Sequence, residues 1–197
     1  MKSSDTKQEI LDKAVDLFYE FGFVKASVRD IVRTVGVTNS TIYVHFKNKD
    51  EILYTIIQDI GSIVLEELHK AITNNDDPVK CLKEMIFRQT CLIKEKRKEL
   101  KIYIEEQYQL PKALSSEAVK QQRQIHDLYF NKFCELEKIG LLKQGIDKTI
   151  MAFSVFAMMN WIYRWYNDSG RLSIEEIANQ SIAVFFGGIM VEKSKQN

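Results

Sequence analysis

The sequence predicts an all-α protein of about nine helices: an N-terminal helix-turn-helix domain of three helices over residues 1–50, and a larger helical domain over 51–197. Three observations lead there. Two prolines and eight glycines in 197 residues leave little punctuation, and no Pro/Gly/Ser-rich linker or low-complexity tract divides the chain. Apolar residues recur at three- and four-residue spacing, and no run alternates apolar and polar side chains as a half-buried strand would. Capping residues stand where the apolar stripes begin, at Ser27, Thr38, Asp77 and Ser173.

The elements follow in order. A first helix runs from about Ser4 to Phe21 on the stripe Ile10, Ala14, Leu17, Phe18 and Phe21. Ser27 then reads as an N-cap with Asp30 as its acidic partner, followed by Val28, Ile31, Val32 and Val35 at helical spacing. Gly36 supplies the freedom to turn. Thr38 opens a short third helix, Asn39 to about Phe46, with Ile42 and Phe46 inward. A long fourth helix starts near Asp50, lined by Ile52, Leu53, Ile56, Ile57, Ile60, Val64, Leu68 and Ile72, and ends in the polar cluster 73–77.

Pro78 behind Asp77 opens a fifth helix to about Lys96, and a sixth spans Glu99 to Tyr108 before Pro111. A seventh runs from Ser115 to Ile139, with Ile125, Tyr129, Phe133 and Leu136 on one side. Gly140 and Gly145 bracket a turn. The eighth, Asp147 to Tyr166, is apolar nearly all round, and the ninth, Ser173 to about Glu192, opens with the capping box Ser173–Glu176. A helix apolar on all sides needs cover on all sides. Helices eight and nine are therefore expected to form a homodimer interface, through Ile177, Ala178, Ser181, Phe185 and Gly188.

Two short helices joined by a Gly-containing turn form a DNA-reading unit. With Ile42 and Phe46 inward, Asn39, Ser40, Thr41, Tyr43 and His45 lie on or beside the outward face of the third helix. Such small polar and aromatic groups reach base edges and phosphates in the major groove. Charge agrees. Residues 23–49 carry Lys25, Arg29, Arg33, Lys47 and Lys49 against Asp30 alone, in a chain whose net charge is only +1. Ser27, Arg29, Thr38, Asn39, Ser40, Thr41, Tyr43, His45 and Lys49 are the candidate DNA contacts, and double-stranded DNA is the expected partner.

Enzyme and metal chemistry have no signature here. His45, His69 and His126 lie far apart, without a second His or Cys at ligand spacing, and His69 and His126 read as surface or capping histidines. There is no P-loop, no G-x-G-x-x-G and no G-x-S-x-G. Gly187-Gly188 fits helix packing better than phosphate binding. Cys81, Cys91 and Cys134 have no C-x-x-C spacing and read as buried reduced thiols. No cofactor is expected. The N-terminus lacks an apolar signal region, and the longest apolar run, Ile150 to Tyr163, is broken by Ser154 and Asn160. A soluble cytoplasmic protein is expected.

The chain resembles the TetR family of transcriptional repressors over residues 6–57. G-V-T, then T-I-Y-V-H-F, then K-N-K-D-E-I-L is similar to the end of that family's first domain. Ala14, Leu17, Phe18 and Gly22 match its first helix, while Val44 departs from the aromatic or polar residue common in relatives. The resemblance implies a ligand-responsive repressor, dimeric through a four-helix bundle and released from a palindromic operator by a small effector.

A second resemblance lies further on. N-W-x-x-x-W-Y at 160–166, D-S-G-R-L at 168–172 and S-I-E-E-I-A at 173–178 look like the TetR subgroup that controls fatty-acid and steroid degradation in response to acyl-CoA thioesters. A small apolar effector such as an acyl-CoA would meet Phe87, Cys91, Tyr103, Tyr108, Tyr129, Phe133, Phe156 and Met159, with Arg123 and Arg164 toward its phosphates. A different reading keeps the DNA-binding head but gives the C-terminal domain a protein partner and no small molecule.

Overall fold

The computed structural model describes residues 3–190. Among them are eight α-helices: α1 (Ser3–Phe21), α2 (Val28–Val35), α3 (Asn39–His45), α4 (Lys49–Thr73), α5 (Pro78–Glu105), α6 (Lys112–Lys138), α7 (Lys148–Trp165) and α8 (Ile174–Ile189). No strand occurs among the described residues, only an isolated bridge between Leu142 and Met190. The all-α expectation holds, with one helix fewer.

The difference lies at Lys96. The expected fifth and sixth helices are one helix, α5, bent where Lys96 takes φ −119° and ψ 25°. The run Glu95–Glu99 holds neither Gly nor Pro, and its long straight side chains favour helix, so the chain bends and continues. A 3₁₀ turn, Gln107–Gln109, takes the place of the last part of the expected sixth helix. The expected end of the last helix near Glu192 lies outside the described residues; α8 closes at Ile189.

The chain forms two compact units. The first comprises residues 3–63 with Lys96–Gln122, and the second Val64–Glu95 with 123–190. Helices α4, α5 and α6 thus each contribute to both, whereas the expected division at residue 50 follows the helix-turn-helix alone.

In the first unit, Ile10, Ala14 and Phe18 of α1, Ile31 of α2, Ile42 and Phe46 at α3, and Ile52, Leu53 and Ile57 of α4 share one core with Ile102 of α5. Phe18 and Phe23 meet edge to face at 5.3 Å. Helix α5 also grips α1 by polar contacts: Lys98 Nζ is 2.6 Å from Asp16 Oδ1, and Lys101 Nζ donates to the Tyr19 carbonyl at 2.8 Å. A buried polar contact fixes α6 on α4. Gln121, 7% exposed, donates through Nε2 to the Gln58 carbonyl and to Ser62 Oγ at 3.1 and 3.2 Å.

The second unit buries Tyr129, Phe133 and Leu136 of α6 completely, together with Cys81, Leu82, Met85 and Ile86 of α5. Met151, Ala152, Val155 and Met159 of α7 and Ile174, Ile177, Ala178 and Phe185 of α8 join them. Arg88 closes the α4–α5 side with ion pairs to Glu67 and Glu84 at 2.9 and 2.6 Å. Among the thiols only Cys81 is fully buried; Cys91 and Cys134 are half-buried, and all three are free. His69 is exposed as expected. His126 is not on a polar face: its ring lies within 6.3 Å of those of Phe130, Phe153 and Phe156.

Gln121 of α6 packs directly against Gly61 of α4. A Cβ there would lie 1.9 Å from Gln121 Oε1, so the amide packs where any side chain would stand. Gly61→Ala is expected to displace Gln121 and lower stability by about 1–2 kcal/mol. The double variant Gly61→Ala/Gln121→Ala should lose less than the two single losses added together. Thermal unfolding of the four proteins checks this, and full additivity would mean the two residues are not coupled.

Candidate nucleic-acid interface

The geometry of the helix-turn-helix is set by its caps. Ser27, in an extended conformation, accepts the Asp30 amide through Oγ at 3.2 Å, and Asp30 Oδ2 accepts the Ser27 amide at 3.0 Å. This is the reciprocal capping box the sequence suggests. The Ser27 hydroxyl and amide bonds, with Arg33 at 2.9 Å, hold the Asp30 carboxyl below the ordinary aspartate value. The cap therefore persists until pH falls below that range. Gly36 ends α2 at φ 78°, a left-handed turn that favours glycine, and its amide donates to the Val32 carbonyl.

Thr38 begins α3. Its Oγ1 accepts the Thr41 amide at 3.2 Å and lies 2.7 Å from Ser40 Oγ and 2.9 Å from Thr41 Oγ1. Three hydroxyls thus share one network at the N-terminus of α3. Ile42 and Phe46 are buried as expected. Asn39, Ser40 and Tyr43 are exposed, and Thr41 and His45 are half-buried at the edge of that face. Thr38, Ser40 and Thr41 are tied into the cap; Asn39 and Tyr43 are the polar side chains free to turn outward.

Val44 is 78% exposed on the same short helix. An isolated valine in water gains nothing from the fold. On a DNA-reading helix it suits apolar contact with the methyl group of thymine. Val44, which departs from the aromatic or polar residue common in relatives, joins the candidate face by its exposure.

Lys49 differs most from expectation. Expected as a phosphate contact, it donates through Nζ to the Phe23 carbonyl at 2.8 Å and the Ala26 carbonyl at 2.9 Å. The ammonium also lies 4.2 Å from the Phe23 ring centroid. Two of its three N–H groups are used, so Lys49 is a positioning residue for the α1–α2 corner. Glu106 of the first unit fixes the same corner, accepting the Phe23 amide at 3.2 Å. Lys25, Arg29 and Lys47, in contrast, are exposed and have no ion-pair partner among the described residues. Lys25 and Lys47 join Arg29 as candidate phosphate contacts. Their sequence signal was the charge cluster itself.

The second unit divides the other candidates. Tyr129 and Phe133 are fully buried, and Tyr129 donates to Gln89 Oε1 at 2.9 Å while its ring meets Phe156 at 5.2 Å. Phe87, Cys91 and Phe156 are half-buried, Met159 is buried, and Arg123 and Arg164 are exposed. Burial raises the Cys91 thiol to about 11, so it stays protonated. Tyr103 and Tyr108 do not join this group. Both belong to the first unit: Tyr103 packs on the core beneath the helix-turn-helix, and Tyr108 is 83% exposed.

The expected interface residues need a similar correction. Ile177, Ala178 and Phe185 are at most 9% exposed within a single chain, so they pack inward. Only Gly188 is exposed, with Ser181 half-buried at the edge. The outward side of α8 carries Glu176, Asn179 and Gln180 in its first half and Ala183, Val184, Gly187 and Gly188 in its second, and that of α7 carries Ile150, Phe153, Trp161 and Trp165, the last four each more than half exposed. A Cβ at Gly187 or Gly188 would meet nothing within 4 Å.

A capped helix-turn-helix with an outward polar face and free cations beside it defines a DNA-binding protein. Comparison with known sequences agrees. Residues 10–55 match the family of bacterial regulatory proteins named tetR, and residues 75–189, more than half the chain, match the tetracyclin repressor-like C-terminal domain. The chain belongs to the TetR family, and it is a helix-turn-helix transcriptional regulator, not an enzyme.

Among its relatives is the HTH-type transcriptional repressor KstR2 of Mycolicibacterium smegmatis, 22% identical over 185 residues that cover 93% of this chain and 90% of the relative. The structure of the ketosteroid transcriptional regulator KstR2 of Mycobacterium tuberculosis superposes with a TM-score of 0.87 at 20% identity, covering 94% and 95% of the two chains. That of AibR in complex with isovaleryl coenzyme A and operator DNA superposes with a TM-score of 0.84 at 25% identity, covering 92% and 98%.

The two kinds of lysine are expected to separate experimentally. Lys47→Ala should weaken all DNA sequences alike and lower the salt slope of binding by about one. Lys49→Ala should instead cost roughly 1–3 kcal/mol of folding stability, because two buried-side carbonyls lose a charged donor. Chemical unfolding and salt-dependent DNA titration of both variants check this. A stable Lys49→Ala protein with a reduced salt slope would return Lys49 to the phosphate contacts.

Proposed function

We propose that the chain is a homodimeric repressor that reads an inverted-repeat operator with α3 and is released by a small apolar effector, an acyl-CoA thioester, held in the second unit. The observation that carries the DNA half is the outward face of α3, Asn39, Ser40, Tyr43 and Val44, with Lys25, Arg29 and Lys47 unpaired nearby. The dimer rests on the outward apolar side of α7 and α8. Phe153, Trp161 and Trp165 are 59%, 58% and 53% exposed, and Val184 is 76% exposed. Surface of that kind marks an interaction site, and the small residues Ala183, Gly187 and Gly188 beside it let a second backbone approach closely. A symmetric pair would present two copies of α3 to successive major grooves, roughly 34–36 Å apart.

The effector reading rests on the 160–178 resemblance and on the ligand named for AibR. Phe87, Cys91, Phe156 and Met159 supply an adaptable apolar surround, and Tyr129 with Gln89 supplies a polar pair within it. Arg164 lies 4.8 Å from the Trp161 ring centroid, a cation on the surface of α7 suited to phosphate. Effector and DNA would bind different populations of the same protein, so one reduces affinity for the other by mutual linkage.

Two measurements test this reading. Operator complexes titrated with acyl-CoAs of increasing chain length should dissociate at about micromolar concentration, and free CoA should not act. Silence across the series would remove the acyl-CoA and leave the DNA-binding assignment untouched. Val184→Arg should convert dimer to monomer in sedimentation while helicity is kept, since the side chain leaves the core alone. A dimeric Val184→Arg protein would move the interface away from α7 and α8, and the outward apolar face would then belong to another protein.

A further inference from the structure

The crest of α3 is apolar. At about 100° per residue, the positions two before and two after Ile42 point roughly 160° away from it, and these are Ser40 and Val44. Ile42 is 1% exposed and belongs to the core of the first unit, so Ser40 and Val44 stand furthest out from that core, one turn apart. Ser40 Oγ is 2.7 Å from Thr38 Oγ1, and Thr41 Oγ1 is 2.9 Å from the same atom, so the hydroxyls beside the crest are engaged in the cap. Val44, 78% exposed, offers two methyl groups and no hydrogen bond. The helix, NSTIYVH, also lacks Arg, Lys, Gln, Asp and Glu. It has no bidentate cation for the O6 and N7 of guanine and no carboxylate for the N4 of cytosine. The exposed cations Lys25, Arg29 and Lys47 lie outside α3, and phosphate contact through them would orient the head without reading bases.

We propose that Val44 reads the C5-methyl group of a pyrimidine. Each half-site then carries a thymine under the crest of α3. There 5-methylcytosine, which sets the same methyl group in the major groove, substitutes for thymine, and uracil and unmodified cytosine do not. The proposal rests on α3 being the DNA-reading helix and involves no effector. It follows from what each alternative leaves unsatisfied. Over guanine, adenine or unmodified cytosine, valine would strip water from a polar base edge and return no hydrogen bond. The methyl group of thymine is the one apolar group that the four bases present in the major groove. Methyl against methyl takes apolar surface on both sides out of water. The same contact makes binding sensitive to cytosine-5 methylation wherever a C·G pair lies under the crest.

A duplex selected by the full chain from randomised DNA serves as the probe. Each thymine of its half-sites is replaced in turn by uracil, which removes the methyl group and keeps every hydrogen-bonding atom. One thymine per half-site is expected to respond: uracil there should weaken binding about fourfold, and in both half-sites about fifteenfold. At the same position, a pair of 5-methylcytosine with guanine should bind about fourfold more tightly than its unmethylated counterpart. Both differences should shrink to less than about twofold in Val44→Ala, whose shorter side chain buries less of the methyl group. That variant should keep the thermal stability of the parent, because Val44 lies outside the core. Tyr43→Phe, on the neighbouring position, should leave both differences in place. Indifference to uracil at every position, a uracil cost that persists unaltered in Val44→Ala, or equal binding of methylated and unmethylated pairs would each overturn the proposal and leave α3 as the DNA-reading helix. Failure to select any duplex would instead overturn the DNA reading itself, and this proposal with it.

Discussion

The corner between α1 and α2 is held by side chains that reach it from far along the sequence. Lys49 binds the carbonyls of Phe23 and Ala26, and Glu106 binds the Phe23 amide. The backbone there has left α1 and has not yet entered α2, so these groups have no helical partner of their own. Phe23 is pinned between them, with its ring against Phe18 and beneath the Lys49 ammonium. From this corner the capping box at Ser27 starts α2, Gly36 turns the chain, and Thr38 starts α3. The direction in which Asn39, Tyr43 and Val44 point is therefore fixed by contacts that none of those residues makes.

Part of this arrangement is legible in the sequence, because capping is local. A hydroxyl and a carboxylate three residues apart define α2, and a glycine followed by a threonine defines the turn and α3. Helical spacing likewise identifies Ile42 and Phe46 as buried. The role of Lys49 is not legible. A lysine beside a DNA-reading helix is chemically suited to phosphate, and its carbonyl partners are 23 and 26 residues away. The phase of α8 was hidden for a related reason. Its apolar residues are so dense that small residues alone do not say which side faces inward, and Ala178 turned out to be core while Ala183 is surface. At Lys96 a charged stretch with no helix breaker resembles a break, and helix propensity carries α5 through it.

The three long helices that serve both units connect the two halves of the proposed mechanism. Phe87 and Cys91 of α5 lie before the bend at Lys96, and Lys98, Lys101 and Glu106, which grip α1 and its corner, lie after it. Gln121 of α6 is fixed on α4 at Gly61, while Tyr129 and Phe133, about two and three turns further along α6, belong to the second core. A change of packing around the proposed effector has a continuous backbone route to the residues that orient α3. Nothing beyond a shift between two packings is required for it to alter DNA affinity.

Selection of binding sites from randomised duplex DNA, followed by cleavage protection on the winning sequence, tests this account most directly. A dimer presenting two copies of α3 predicts an inverted repeat, with the two protected major-groove segments about one helical turn apart. Replacement of Asn39 or Tyr43 should change the selected bases within each half. A single asymmetric protected segment, or a selected sequence indifferent to those replacements, would contradict it.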